Sequence, residues 1–323
     1  MIDFSDPLAI LAFALLMDAV FGEPAWLWAR IPHPAVAMGN LIAQADAGFN
    51  REDAPAEVRR RNGVLFALGL AISAFALGWL IQYLLLFLPF GWLLVAGLAS
   101  TLIAQKSLHE HVAAVATGLD RAGLEGGRTA VSAIVGRDPE TLNEAGVSRA
   151  AIESTAENFA DGVVAPVFWF AILGLGGMLA YKAVNTADSM IGHRTARHED
   201  FGMGSARLDD GMNWIPARLS GFLIAFGALL TGRSLPGALS AMAADAYKHR
   251  SLNAGWPEAA MAGALGLALA GPRVYGGTLT DDPYLNAAGR DNATSDDIRA
   301  ALTVMTASAA LMAAIVVVIW IAI

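Results

Sequence analysis

The sequence lacks cysteine, and charged residues are scarce in it. None of the 323 residues is cysteine, which excludes disulfides, thiolate metal sites and cysteine nucleophiles. Charged residues make up 15% of the chain and apolar residues 56%, whereas globular proteins carry roughly 25% charged residues. The net charge of −8 argues against a nucleic-acid-binding protein, which would present a basic surface. The composition is therefore not that of a soluble protein.

Motifs of several common enzyme classes are also missing. No G-x-x-x-x-G-K-[ST] loop occurs, so ATP binding cannot be argued from a Walker motif. There is no G-x-G-x-x-G after a strand, no H-E-x-x-H and no G-x-S-x-G. Residues 1–6 lack the basic segment of a cleaved signal peptide, so we expect the first apolar segment to be retained.

Long apolar runs are the main feature that the sequence does have. A membrane-spanning helix needs about 20 largely apolar residues. The candidate segments are residues 7–21, 64–88, 91–105, 163–181, 214–231, 256–270 and 301–323. Small residues such as Gly263 and Gly266 in the sixth segment suit close helix packing. The sequence predicts an all-α, polytopic transmembrane protein.

Three regions are predicted along the chain. Residues 1–105 form N-terminal membrane helices with a cytoplasmic loop, and residues 163–323 form a C-terminal membrane region with most of the polar motifs. Between them, residues 106–162 are predicted to form a small, water-facing helical subdomain. Apolar residues recur there at helical spacing: Leu108, Val112, Val115 and Leu119.

Further helix signals lie in this middle region. Asp138 and Pro139 form an N-cap followed by proline at the first helical position. A second helix is predicted to begin at Ser148 and to end at Gly162. Both helices belong to the predicted subdomain.

The distribution of Lys and Arg orients the chain, because cytoplasmic loops carry the excess. Residues 22–63 and 106–162 each carry several, which places both on the cytoplasmic side and the N-terminus outside. The bias is strongest if segment 163–181, which glycines interrupt at 174–177, does not simply cross the membrane. We predict that it does not.

The first polar cluster consists of Glu153, Glu157 and Asp161, each four residues from the next. On a helix these carboxylates share one face, which suits a hard cation such as Mg²⁺. Spacing alone favours an ordinary solvated surface. The position of the cluster, directly before an apolar run, favours a metal site because charge is costly at a membrane boundary.

The second cluster places Lys182, Asn185 and Ser189 on one helical face, with Asp188 beside it. A lysine next to an acid can be an ion pair that stabilises the fold. Lys182 and Arg194 are also donors suited to phosphate or carboxylate.

The third cluster contains the adjacent acids Asp209 and Asp210. They repel each other unless a metal, Arg207 or Arg218 lies beside them. Arg218 lies inside an apolar stretch, where a charge is by default a hypothesis of function. Weaker signals are Asp18 and His33 near the start of the chain and the polar turn around Asn253, each of which could be purely structural.

These blocks resemble the adenosylcobinamide-phosphate synthase family of cobalamin biosynthesis, over nearly the whole chain. The segments that carry the resemblance are residues 18, 22–24, 33–34, 153–166, 181–190, 205–218, 253–263 and 275–276. One departure is Leu252, where the family pattern has proline.

The resemblance implies ATP-dependent condensation of adenosylcobyric acid with (R)-1-amino-2-propanol phosphate to give adenosylcobinamide phosphate. It implies ATP and Mg²⁺ as cofactors and the bacterial inner membrane as the location, with the site facing the cytoplasm. Expected partners are the two substrates, the lipid bilayer and other corrinoid enzymes. Nucleic acid is not an expected partner.

Residue roles are our hypothesis within that resemblance. The expected catalytic residues are Lys182, Asp188, Asp209 and Asp210. The expected substrate-binding residues are Asn158, Asn185, Arg194, Arg207, Arg218 and Asn253. The expected metal ligands are Glu153, Glu157 and Asp161. The alternative is a membrane transporter or sensor for an anionic metabolite, which would also bury Arg218 and break a helix near Gly174.

Overall fold

The structure is a computed structural model that describes residues 5–23, 28–30, 32–135, 139–275 and 278–323. Three sequence expectations involve residues outside these ranges, at Pro24, Asp138 and Gly276.

Helices form most of the described chain, which confirms the all-α prediction. In chain order they are α1 (Pro7–Phe21), α2 (Pro34–Phe49), α3 (Ala56–Leu86), α4 (Gly91–Ser100), α5 (Gln105–Val131), α6 (Glu144–Phe159), α7 (Ala165–Ile191), α8 (Met203–Leu230), α9 (Leu235–Asp245), α10 (Gly255–Leu265) and α11 (Ser295–Ala322). Short 3₁₀ turns cover Pro139–Thr141 and Ala246–Lys248.

The few strands are short and antiparallel. Strand β1 (Leu269–Ala270) pairs with β4 (Tyr284–Leu285), and β2 (Arg273–Tyr275) pairs with β3 (Thr278–Thr280). They follow α10 and were not predicted from the sequence, because two or three residues show no measurable periodicity.

Five stretches of the described chain are long and apolar enough to cross a membrane. They are Ala56–Leu86, Gly91–Val131, Glu144–Ile191, Met203–Leu230 and Ser295–Ala322. Helix α1 is apolar but has only 15 residues. The protein is therefore a multi-pass membrane protein, as predicted.

The chain forms two compact units. Unit 1 comprises Met1–Ala104, Ala165–Asn213 and Val316–Ile323, and unit 2 comprises Gln105–Val164 and Trp214–Ile315.

In unit 1, helix α3 packs closely against α7 through glycine. A Cβ atom added at Gly78 would lie 2.7 Å from the carbonyl oxygen of Leu175 and 2.9 Å from the Cα atom of Gly176. Only a residue without a side chain permits this approach. Leu70, Ala183 and Phe201 belong to one buried apolar cluster, so the last third of α7 also packs in the core of unit 1.

Helix α7 is broken at Gly174, where φ is 65°. The break frees the backbone N–H of Leu175, which donates to the Oε1 atom of Gln82 at 2.7 Å. Inside a membrane such a group needs a protein acceptor, and Gln82 supplies it. The predicted interruption of this segment is confirmed, and its failure to cross stays a prediction.

In unit 2, two expectations about helix ends are wrong. Gly162 does not end a helix, because α6 runs into a π-helical turn over Ala160–Val164. Segment 256–270 is not one helix, because α10 ends at Leu265 and Gly266 caps it with φ 65°. Gly263 does lie against the backbone of Gly237, whereas Gly266 makes no such contact.

Replacing Gly78 with alanine tests the contact between α3 and α7. We expect Gly78→Ala to lower the free energy of unfolding by about 1–3 kcal/mol, because the new methyl group overpacks the contact. The matched control is Gly69→Ala on the same helix, where an added Cβ meets nothing within 4 Å. This control should be neutral or stabilising by up to about 1 kcal/mol. Thermal unfolding in detergent measures both, and equal effects would contradict the prediction.

Candidate functional site

A buried polar cluster in unit 1 is centred on Asp209. Its Oδ1 atom accepts a hydrogen bond from the Asn185 amide at 3.2 Å, and its Oδ2 atom accepts one from the Asn213 amide at 3.0 Å. The hydroxyl of Tyr181 donates to Oδ1 of Asn213 at 3.0 Å. Tyr181, Asp209 and Asn213 are all buried. Two amides therefore hold both oxygens of this carboxyl group.

Helical spacing explains how these side chains meet. Tyr181 and Asn185 lie four residues apart on α7, and Asp209 and Asn213 lie four residues apart on α8. Side chains at this spacing share one face of a helix. The two faces interlock, which places the predicted residues Asn185 and Asp209 in direct contact.

Two further acids act on Asp209, since the charges of Asp188 and Asp210 both interact with it. The carboxylate of Asp188 packs directly against Gly192, where any Cβ atom would collide with its Oδ1 atom. A residue with a side chain at position 192 would therefore displace the Asp188 carboxylate. Lys182 is half-buried on the same helix as Asp188.

Arg194 and Arg207 are exposed. In the described part of the chain, the hydrogen-bond donors to Asp209 are amides and not either arginine. Which positive group lies beside the pair Asp209 and Asp210, a metal, Arg207 or Arg218, stays a prediction. Asn213 donates to Asp209, and its position four residues after Asp209 was the signal that sequence reasoning missed.

The connection between α7 and α8 is held by a network centred on Arg197. Its Nε atom donates to Asp46 at 2.9 Å, its Nη1 atom donates to Glu52 at 3.1 Å, and its carbonyl oxygen accepts from Asn50 at 2.9 Å and from Arg59. Burial raises the pKa of Asp46, but hydrogen bonds from Asn50 and Arg197 and the charge of Arg197 outweigh burial and lower it. This network fixes the connection that joins the two site helices.

The three predicted metal ligands of unit 2 lie in different environments. Glu153 is buried and its Oε1 atom accepts from the backbone N–H of Ala270 at 2.8 Å. Glu157 is exposed, and Asp161 lies in the π-helical turn, which rotates the chain away from an even four-residue spacing. Among the residues that the structure describes, no three His, Asp or Glu side chains form a group that could hold a metal ion.

Asn158, predicted to bind substrate, is exposed and donates from Nδ2 to the carbonyl oxygen and the hydroxyl of Ser154, both at 2.9 Å. These contacts lie within its own helix.

Arg218 and Asn253 are brought together in unit 2. The Nη1 atom of Arg218 lies 3.5 Å from Oδ1 of the buried Asn253 and donates to the carbonyl oxygen of Trp214 at 2.5 Å. Its guanidinium carbon lies 4.3 Å from the centroid of the Trp214 ring and 4.7 Å from that of Trp256. Sequence reasoning missed both indoles, although Trp214 lies four residues before Arg218.

Two histidines have structural contacts. The Nδ1 atom of His249 accepts from the backbone N–H of Ser251 at 3.0 Å, and its Nε2 atom lies 3.6 Å from the buried Glu258. His33 caps α2, since its Nδ1 atom accepts from the backbone N–H of Ala35 at 3.1 Å. The cap favours the structural interpretation of His33.

Replacing Asn213 with leucine tests the Asp209 cluster. We expect Asn213→Leu to lower the free energy of unfolding by about 1–3 kcal/mol, because it removes a donor to Asp209 and the acceptor for the Tyr181 hydroxyl. Tyr181→Phe should cost less, since it removes only the hydroxyl. The double variant should cost less than the sum of the two, and strict additivity in thermal unfolding would contradict the contact.

Comparison with known proteins shows the family of the chain. The family model described as CobD/Cbib protein matches residues 11–305. A Cobalamin biosynthesis protein CobD from Sinorhizobium sp. is 54% identical over 313 residues, which cover 96% of this chain and 97% of the relative. Proteins of the same name from Brucella anthropi and Rhodobacter capsulatus are 50% and 48% identical, covering 96% and 89% of this chain and 96% and 90% of the relatives.

No solved structure matches this chain. Similarity over nearly the full length of curated relatives, together with the family match, is decisive for the assignment. The chain belongs to the CobD/CbiB family of cobalamin biosynthesis proteins.

Proposed function

We propose that the protein is an ATP-dependent ligase that joins adenosylcobyric acid to (R)-1-amino-2-propanol phosphate and produces adenosylcobinamide phosphate. The family assignment supports a step of cobalamin biosynthesis. The observation that carries the proposal is the buried Asp209, which two amides hold beside Asp188 and Asp210. Such a concentration of acids inside a membrane protein is costly unless it has a function.

The reaction must activate a carboxylate, which is a poor electrophile. In the proposed route the corrinoid carboxylate attacks the γ-phosphorus of ATP, so an acyl phosphate forms and ADP leaves. The amine then attacks the acyl carbon, the C–O bond to phosphate breaks, and inorganic phosphate leaves. The nitrogen loses a proton as the amide forms. ATP is converted to ADP and phosphate, and one amide is made.

Asp209 is the proposed base for that proton. Each carboxylate oxygen has two lone pairs, and the amides of Asn185 and Asn213 each occupy one. The carboxyl group is thus held in a single orientation with further lone pairs available for the proton. A positioned base of this kind contributes typically about 10²–10⁴-fold to the rate.

Asp188 and Asp210 of unit 1 are the proposed ligands of a magnesium ion that would bind together with ATP. Mg²⁺ is usually held by one or two carboxylates plus substrate phosphates, not by an all-protein cage. Asp188 and Asp210 would supply those carboxylates, and the bound ion would neutralise charge on the phosphates. Glu157 and Asp161 of unit 2 stay separately predicted metal ligands, whereas Oε1 of Glu153 already accepts a backbone N–H group.

Cationic residues are the proposed contacts for the anionic substrates. Lys182, Arg194 and Arg207 would bind phosphate oxygens, and Arg218 with Asn253 would bind a second oxyanion. Asn158 is proposed to contact substrate from the exposed side of its helix.

We place the protein in the bacterial inner membrane with the site on the cytoplasmic side, where ATP is available. The excess of Lys and Arg in residues 22–63 and 106–162 supports this orientation. The lipid bilayer and other corrinoid enzymes are the proposed partners.

ATP turnover by the purified protein in detergent tests the proposal. We expect ADP release to require both adenosylcobyric acid and aminopropanol phosphate, with the new amide detected by mass spectrometry. Asp209→Asn should lower kcat by about 100-fold or more, because the amide cannot accept the proton.

The control variant is Asp53→Asn, since Asp53 is exposed and, within the residues that the structure describes, pairs with the exposed Arg51 alone. This variant should release ADP at the wild-type rate. Saturable binding of adenosylcobyric acid without any ATP turnover would contradict the ligase and favour a transporter, for which the broken helix at Gly174 would then be the structural basis.

A further inference from the structure

Arg218 is a charged side chain in a part of the chain that is otherwise apolar. It lies within Met203–Leu230, one of the stretches able to cross a membrane. Its neighbours Ile215 and Leu219 are exposed apolar residues, as is typical of a surface facing lipid. An arginine in such a stretch is costly and marks a functional site by default.

The structure compensates this charge without a carboxylate. Within the described ranges, Arg218 forms no ion pair, and its hydrogen-bond acceptors are the carbonyl oxygen of Trp214 and the side-chain oxygen of Asn253. Both contacts are made by Nη1. A guanidinium carries five N–H donors, so the donors on Nε and Nη2 remain for another acceptor.

The indole rings of Trp214 and Trp256 contribute the remaining attraction. Both ring centroids lie within 5 Å of the guanidinium carbon, at 4.3 and 4.7 Å. Cation–π attraction holds within about 6 Å of a ring centroid. We call Trp214 and Trp256 the indole clamp.

Local structure holds the clamp in position. Trp214 and Arg218 are one helical turn apart on α8, so their side chains share a face. Trp256 lies in the first turn of α10, and α8 approaches its backbone at Gly221, where a Cβ atom would lie 3.2 Å from the carbonyl oxygen of Trp256. The buried Asn253, just before α10, contacts Nη1.

We propose that Trp214 and Trp256 are positioning residues that hold the Arg218 guanidinium so that its remaining N–H donors bind one oxyanion of the substrate, a carboxylate or a phosphate. An indole contact satisfies the cation without occupying those donors, whereas a carboxylate partner would occupy them. The inference rests on the proposed function for the identity of the ligands. Its chemistry, a guanidinium whose Nε and Nη2 donors can bind an oxyanion, depends only on the contacts of unit 2.

The test compares leucine and phenylalanine variants of the clamp in steady-state kinetics. Leucine removes the ring, and phenylalanine keeps an aromatic face. We expect Trp214→Leu and Trp256→Leu each to raise one KM about 10-fold while kcat changes less than about 3-fold, since the lost cation–π attraction acts on binding. The phenylalanine variants should raise the same KM by no more than about 3-fold.

Separate KM values for the three anionic ligands identify the oxyanion. A rise for adenosylcobyric acid alone assigns the corrinoid carboxylate to Arg218. A rise for aminopropanol phosphate or for ATP alone assigns a phosphate. Arg218→Lys should raise the same KM at least as strongly, because a lysine ammonium cannot present a flat pair of donors.

The matched control is Trp79→Leu on α3. Trp79 is 55% exposed, close to the 51% of Trp214, and stacks on Tyr83, with no cation over its ring among the residues that the structure describes. It should leave every KM unchanged. Unchanged KM values in both clamp leucine variants, or equal losses in the leucine and phenylalanine variants, would overturn the clamp. Thermal unfolding will show whether the leucine variants fold. If they do not, the KM values of the phenylalanine and Arg218→Lys variants decide: the proposal requires a rise of at most about 3-fold for phenylalanine and at least about 10-fold for Arg218→Lys, both for the same substrate.

Direct binding separates the clamp from the ligase proposal. If the wild type turns over no ATP, the ligase proposal fails, and equilibrium dialysis of the wild type and the clamp variants with each of the three ligands tests the clamp. An affinity about 10-fold weaker for one ligand in the leucine variants then supports the clamp. A wild type that binds none of the three overturns it.

Discussion

The constraint on which the structure depends is that a polar group shielded from water must find its partner within the protein. At Gly174 the helix break frees the N–H of Leu175, and Gln82 of a neighbouring helix accepts it. At Asp209 the amides of Asn185 and Asn213 take the place of water around a buried carboxyl group. The same requirement explains both the hydrogen bond at the break in α7 and the amides around Asp209.

The two polar clusters meet this requirement by a shared principle. In unit 1, neutral amides hold an acid, and in unit 2, neutral indoles and an amide hold a cation. Neither Asp209 nor Arg218 forms an ion pair within the described chain. Neutral partners orient a group without taking up the capacity to bind an oppositely charged ligand, which an ion pair would consume. For this reason we propose ligand binding at Arg218 and proton transfer at Asp209 in preference to the exposed charged residues.

Part of the site was predictable from spacing along the chain. Residues four apart on one helix share a face, so the placement of Tyr181 with Asn185 on one face of α7, and of Asp209 with Asn213 on one face of α8, was implicit in the sequence. Which face of α7 meets which face of α8 was not implicit, because it depends on packing between helices. Glu153 shows the same limit. Its spacing from Glu157 and Asp161 indicated a metal site, but a backbone N–H 117 residues away in the chain occupies its Oε1 atom, and a π-helical turn interrupts the spacing. The network around Arg197 also joins residues about 150 positions apart, which no local pattern reveals.

The sequence by itself determined the class of the protein and the family to which it belongs, since apolar runs of membrane length and long polar blocks are properties of the chain alone. It also indicated that helix α7 is interrupted within residues 174–177, because glycine adopts φ of 65° without strain, and the structure places the break at Gly174. Only the tertiary structure decided that amides and not arginines hold Asp209, that two indoles hold Arg218, and that segment 256–270 ends as a helix at Leu265. These outcomes depend on which side chains from distant parts of the chain meet where water is excluded, and that is settled by packing and hydrogen bonding in three dimensions.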